Sequence, residues 1–169
     1  MPISKSFLPE FDHEMKTTRT VLERVPDDKF DWKPHPKSTS MGGLATHLAN
    51  IATWTINSMT EESLDLAPGG APVPAIPMAA GRDALLKTFD ENVARAREAI
   101  ADTDDDAFFV NWSLLMNGKT IFTLPRVAVL RGFIMNHMIH HRGQLSVYLR
   151  MNDIPVPSIY GPSADEGAF

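Results

Sequence analysis

Three histidines carry the chemistry that this sequence can support. The chain has six in all, and their positions are not equivalent. His137 and His141 are four apart in a stretch whose apolar residues, Leu130, Ile134, Met138, Leu145 and Tyr148 or Leu149, follow a helical period. Residues at that spacing differ by only about 40° in direction, so both imidazoles project from one face. Two rings so placed can hold a single metal ion. His47 falls on the apolar stripe of an earlier helix with Leu44, Leu48 and Ile51. A helix facing the last one would supply a third nitrogen. Three neutral imidazoles leave an ion its full charge and at least one open position, as in catalytic rather than closed structural sites. His140 is turned about 100° away from His141 and should miss the site. Two readings of the three residues stand open: ligands of one ion, or hydrogen-bonded histidines of the core. The second would make three inward rings costly to desolvate.

The elements that must position these residues are helical. A first helix is expected over roughly Ser4 to Val25, with Leu8, Phe11, Met15, Thr18 and Leu22 as its buried stripe, ended by Pro26. A second starts at Ser40, a good N-cap, and runs to about Met59. Ala67 to Pro77 is rich in proline and glycine and reads as a long connection. A third helix covers about Arg82 to Ala101, burying Leu85, Phe89, Val93 or Asn92, Ala96 and Ile100. Asn117-Gly118 is a turn signal between Trp112, Leu114, Ile121 and Phe122, where a small hairpin and irregular structure are both compatible with the residues. Thr123 and Pro125 resemble the start of a last helix that runs to about Met151. The proline-containing tail from Asp153 should be extended and laid over the rest. The 169 residues are read as one domain, an all-α four-helix bundle with one long crossover.

Composition excludes several classes. Hydrophobic residues make up 43% and charged residues 22%, an ordinary globular balance. The net charge of -5 and the scattered basic residues argue against nucleic-acid binding. There is no cysteine, so disulfides, thiolate ligands and a cysteine nucleophile are excluded. No window reaches the length of a membrane span, and the first residues lack the apolar core of a signal peptide. A cytoplasmic protein without membrane contact is expected. No Ser/His/Asp triad, phosphate loop or dinucleotide fingerprint stands out.

Several side chains could support the histidines. Gln144 follows His141 by three and Asn50 follows His47 by three, each placed to hydrogen-bond a ligand or to satisfy a core polar group. Trp54 could wall a pocket or simply pack. Glu14 lies at the edge of the first helix's stripe, where a glutamate is ordinarily solvated; turned inward it could serve as a general base or hold a ligand in place. Arg142 is expected to pair with an acidic loop such as Asp102 to Asp106. Tyr160 and the tail could cover the mouth of the site.

The run from Asn136 through His137, His141, Arg142, Gly143 and Gln144 to Arg150 resembles the signature of the DinB/YfiT-like family. Ile154-Pro155-Val156-Pro157 to Ser163 resembles that family's tail, and Leu44-Ala45-Thr46-His47-Leu48-Ala49 its second helix. The resemblance spans nearly the whole chain. It implies a four-helix bundle of up-down-down-up connectivity and one divalent metal ion held by His47, His137 and His141. Imidazole ligands suit zinc, nickel, iron and copper, and manganese is a further option, so the metal's identity stays open. The resemblance also implies a homodimer. Some relatives are transferases or isomerases that use a small thiol, which here must come from outside the chain. A metal-hydroxide hydrolase and a non-catalytic, stress-linked metal-binding protein are the alternatives. No catalytic residue beyond the metal ligands is assigned.

Overall fold

The computed structural model describes residues 1–167. Its first helix, α1 (Ile3–Leu22), is amphipathic and buries Phe7, Phe11, Met15, Thr18 and Leu22. Phe7 takes the place expected of Leu8, which is half-buried. The next helical stretch opens at Ser40, whose hydroxyl accepts the Gly43 N–H at 3.1 Å. It is not one helix to Met59. It divides at Ala52 into α2 (Met41–Ile51) and α3 (Thr53–Thr60). At the break the Thr53 hydroxyl donates to the Asn50 carbonyl at 2.7 Å, and Thr55 N–H reaches back only to Ala52 at 3.1 Å. A threonine side chain thus competes for backbone groups where a continuous helix would need them. The third long helix, α4 (Arg82–Ala101), falls where its periodicity places it, with Asn92 rather than Val93 on the buried side.

The all-α expectation needs correction. A three-stranded sheet of order β1-β2-β3 is formed by β1 (Ser63–Asp65), β2 (Asn111–Met116) and β3 (Lys119–Pro125). β2 and β3 are an antiparallel hairpin, and β1 joins β2 in parallel. The hairpin turns at Asn117 (φ 52°) and Gly118 (φ 71°), the two positive values that a primed two-residue turn requires. The Asp65 carboxylate accepts the N–H groups of Ala67, Asn117 and Gly118 at 2.8 to 2.9 Å, tying β1 to the turn. Trp112 is buried from β2 and donates its indole N–H to Asn57 Oδ1 at 3.1 Å. Thr123 does not cap a helix: it lies in β3, with its hydroxyl 2.7 Å from that of Ser113.

The last helical stretch begins after Pro125. It comprises a short turn α5 (Arg126–Ala128), a π-helical segment (Val129–Met135) and α6 (Asn136–Met151). α1 and α2 each pack against both α4 and α6. One hydrophobic cluster draws on all of them, including Phe11, Leu48, Phe89, Phe108, Ile134 and Leu145.

The tail is held by ion pairs and caps. Arg150 pairs with Asp165 and Arg24 with Glu166, 2.5 Å apart in the latter pair. The Ser163 hydroxyl accepts the N–H groups of Asp165 and Glu166.

Candidate metal centre

His47 projects from α2, and His137 and His141 project from α6, which packs against it. The long buried row of α6 contains Met138, Arg142, Leu145 and Leu149. His137 and His141 sit beside that row, half-buried, at the opening between the two helices. Their spacing of four brings the rings together, with Nε2 atoms 2.8 Å apart. His47 Nε2 approaches His137 Nε2 to 3.2 Å. One nitrogen from each of the three residues lies within 4.8 Å of the others. Among the described residues, this is the cluster whose side chains could hold a metal ion.

The donor set fits such an ion. Nitrogens that bind tetrahedrally at about 2.0–2.1 Å stand about 3.3 Å from each other, against 3.2 Å between His47 and His137 and 2.8 Å between His137 and His141. His141 Nδ1–H donates to Gln144 Oε1 at 2.7 Å, which leaves the lone pair on Nε2, facing the cluster. Burial, followed by the neighbouring His141, His47 and His140, pushes His137 down to about 4. Burial and then His141 also lower His47. Both rings are therefore neutral near pH 7, the form that ligates. At these distances each pair of ring nitrogens is joined either by an N–H···N hydrogen bond or by a shared cation.

Aromatic rings close one side. Trp54 of α3 stacks on Phe133 at 5.2 Å between centroids and lies 5.3 Å from His137 and 6.2 Å from His47. Phe122 of β3 meets Phe133 edge-on at 5.2 Å. The hairpin thus backs the wall that Trp54 and Phe133 present. Phe133 was not singled out from the sequence, although it precedes His137 by four and so shares its face; the reading followed the buried Ile134 beside it. On another side, a cleft of about 200 Å³ is lined by Gly43, Thr46, His47, Ile76 and Met78. Ile76 and Met78 come from the proline-rich connection, which has no periodicity to read.

The remaining candidates separate. Gln144 and Trp54 lie against the histidine cluster. Asn50 does not reach the histidine cluster: its amide donates to the Thr46 carbonyl at 2.8 Å, and its oxygen accepts from Asn92 at 3.3 Å. Glu14 is neither solvated nor among the clustered ligand groups. It is buried against Arg142 with an N···O distance of 2.7 Å, and the Tyr160 hydroxyl sits 2.9 Å from both of its oxygens. Arg142 is therefore not paired with the acidic loop at 102–106. Only 1% exposed, it points about 100° around α6 from His141, into the core. Tyr160 packs there too, on the Glu14–Arg142 pair. His140 is exposed, its ring 5.0 Å from that of His141.

The comparisons with known proteins agree on kinship. The Bacillus subtilis protein YrdA, itself described as uncharacterized, is 24% identical over 166 residues, covering 96% of this chain and 90% of its own. A DinB-like crystal structure from Bacillus cereus superposes with a TM-score of 0.70 at 21% identity, covering 94% of this chain and 98% of the other. The DinB-like YjoA of Bacillus subtilis gives 0.69 at 17% identity, covering 91% and 96%. At these identities the two structures speak for the fold. The DinB family pattern itself matches residues 1–168, and the chain belongs to the DinB family.

Proposed function

We propose that His47, His137 and His141 bind one divalent metal ion and that the protein is a metal-dependent enzyme acting on a small exogenous thiol, as an S-transferase or isomerase. The observation that carries the reading is the convergence of three ring nitrogens from two helices, with Gln144 fixing the His141 tautomer. When bound, an ion held by three neutral nitrogens supplies a Lewis acid with an open position, able to acidify a thiol. The chain's own residues orient and shield. Gln144 holds the His141 ring, Trp54 and Phe133 exclude water from one side, and the cleft beside His47 admits a small molecule. The absence of cysteine means the nucleophile arrives with the substrate.

The reading extends to a single domain over residues 1–169, four principal helices in up-down-down-up order, and a homodimer in the cytoplasm. Among the described residues no helix is long and apolar enough to cross a membrane. A thiol-conjugation assay on chelated, untagged protein tests the enzymatic part. Activity should return on addition of one equivalent of zinc, nickel, iron or manganese and stay absent in His137→Ala. Metal binding without turnover across a panel of small thiols and electrophiles would favour a non-catalytic metal-binding protein.

A further inference from the structure

From Leu66 to Gly81 the chain carries no charge and no side-chain hydroxyl, amide or ring nitrogen, yet Pro68 to Met78 is exposed throughout. The two ends of this strap, Leu66 and Ala79, pack against the hydrophobic cluster, whereas Val73, Ile76 and Met78 between them are 47%, 59% and 43% exposed. Val73 N–H donates to the Leu66 carbonyl at 3.2 Å, and Ala79 N–H donates to Thr46 Oγ1 at 3.0 Å. Among the described residues no backbone group of Pro74 to Met78 has a hydrogen-bond partner in the protein. A segment so short of bonds and packing opens more readily than the helices on either side of it. Pro72, Pro74 and Pro77 fix their own φ, so the strap is stiff and moves as one piece. Space lies on both sides of it. Ile76 lines the cleft of about 200 Å³ beside His47, and also a separate one of about 100 Å³ that reaches Leu85 and Thr88 of α4.

We infer that residues 74–80 form a gate over the open side of the histidine cluster, latched by the Thr46 hydroxyl. The inference rests on the proposed metal site for what the gate guards. Thr46 precedes His47 on α2 and is buried, so the latch is fixed beside a ligand ring. Ile76 and Met78 are the strap's share of the cleft wall, and with the latch closed they narrow the approach to His47. When the Ala79–Thr46 bond breaks, the strap turns about Val73 at one end and Gly81 at the other. Beyond Gly81 the chain is held again, by Arg82 N–H on the Asp27 carboxylate at 2.6 Å. Met78 leaves the cleft with the strap. Its sulfur lies 3.8 Å from Ser40 Oγ, a contact too weak to hold the gate. One neutral hydrogen bond therefore sets how often the site is open.

The test compares native protein with Thr46→Val, which removes the acceptor and keeps the shape, and with Thr46→Ser, which keeps the acceptor. In metal-free intact protein the Ala79 amide should exchange about fivefold faster in Thr46→Val, the factor that one net neutral hydrogen bond supplies. The amides of Leu48 in α2 and Phe89 in α4 should be unchanged, and Thr46→Ser should behave as native. Modification of His47 by diethyl pyrocarbonate, followed by peptide mass spectrometry, should quicken by the same factor. With zinc as the probe, uptake and extraction by a chelator should quicken alike and leave the dissociation constant unchanged, because a gate alters access in both directions. Unchanged Ala79 exchange would overturn the latch. Faster exchange with unchanged His47 modification would overturn the gate, as would a weakened zinc dissociation constant with unchanged uptake, which would make Thr46 a support of the His47 ring. Protein that takes up neither zinc nor another divalent ion removes the metal reading, while amide exchange and His47 modification still decide the gate.

Discussion

Gln144 Oε1 receives the His141 Nδ1 proton at 2.7 Å, so the orientation of one ligand ring depends on a side chain one turn further along α6. Such partners commonly contribute 10- to 100-fold to metal affinity. Gln144→Ala should therefore weaken binding by about tenfold or more in a chelator competition, with the far-ultraviolet circular dichroism unchanged; an unaltered affinity would reduce Gln144 to a surface residue. The histidines also set a pH dependence. His137 is held near 4 and His47 is lowered, both from an ordinary value of 6.5. Between about pH 6.5 and 4 the unfolded chain binds more protons at these rings than the folded one, so metal-free protein loses stability as pH falls through that window. The thermal midpoint of chelated protein should drop between pH 7 and 4.5, and drop less in His137→Gln. An equal drop in both would place the acid sensitivity elsewhere. At this scale the sequence was most legible, because spacing on a helix dictates direction: His137, His141 and Gln144 meet as their spacings require. Glu14 was not legible. Whether a residue at a stripe's edge turns inward depends on what the facing helix offers, and here that is Arg142.

The elements behave as periodicity and caps prescribe where they are helical and long. Ser40 caps α2, and α4 occupies its expected span. The division at Ala52 and the π-helical turn at Val129–Met135 lack such a signal, since both turn on how a few backbone groups choose between partners. The hairpin was half legible. Asn117-Gly118 announced its turn, but the parallel partner β1 lies some fifty residues earlier and short strands carry little pattern. Asp65 is the residue that joins them, with three backbone N–H groups on one carboxylate. Those bonds hold its pKa below the usual carboxylate value. Asp65→Ala should speed amide exchange at Ala67, Asn117 and Gly118 while leaving α4 protected. Because Phe122 backs Phe133, loosening of the hairpin should also shift the indole N–H NMR signal of Trp54.

For the molecule as a whole, the Glu14–Arg142–Tyr160 cluster ties α1, α6 and the tail together along the buried row of α6, on a different face from the histidines. Arg142 also donates to the Glu14 carbonyl at 3.2 Å and to the Thr18 hydroxyl at 3.3 Å, so little of its guanidinium is left unpaired. Removing one partner of a buried pair leaves the other charge uncompensated, a cost of about 3–5 kcal/mol. Arg142→Met should lower the urea-unfolding free energy by that order, and Tyr160→Phe by about 1 kcal/mol. Equal and small effects would mean that the cluster is wet and weak. The tail's departure from helix was readable from its prolines; its fold-back, in which the Val156 and Ser158 N–H groups donate to Asp165 and Glu166, and its anchoring were not, since both depend on pairs such as Arg24–Glu166 that bring together separate parts of the chain.

All of this positions three imidazoles, and the most direct test is the metal content of untagged protein by elemental mass spectrometry, beside His47→Ala and His141→Ala. The account predicts about one equivalent of a divalent metal per chain in the native protein and its loss in both variants. Native protein that holds no metal after reconstitution with zinc, nickel, iron, copper and manganese, or variants that keep a full equivalent, would contradict it.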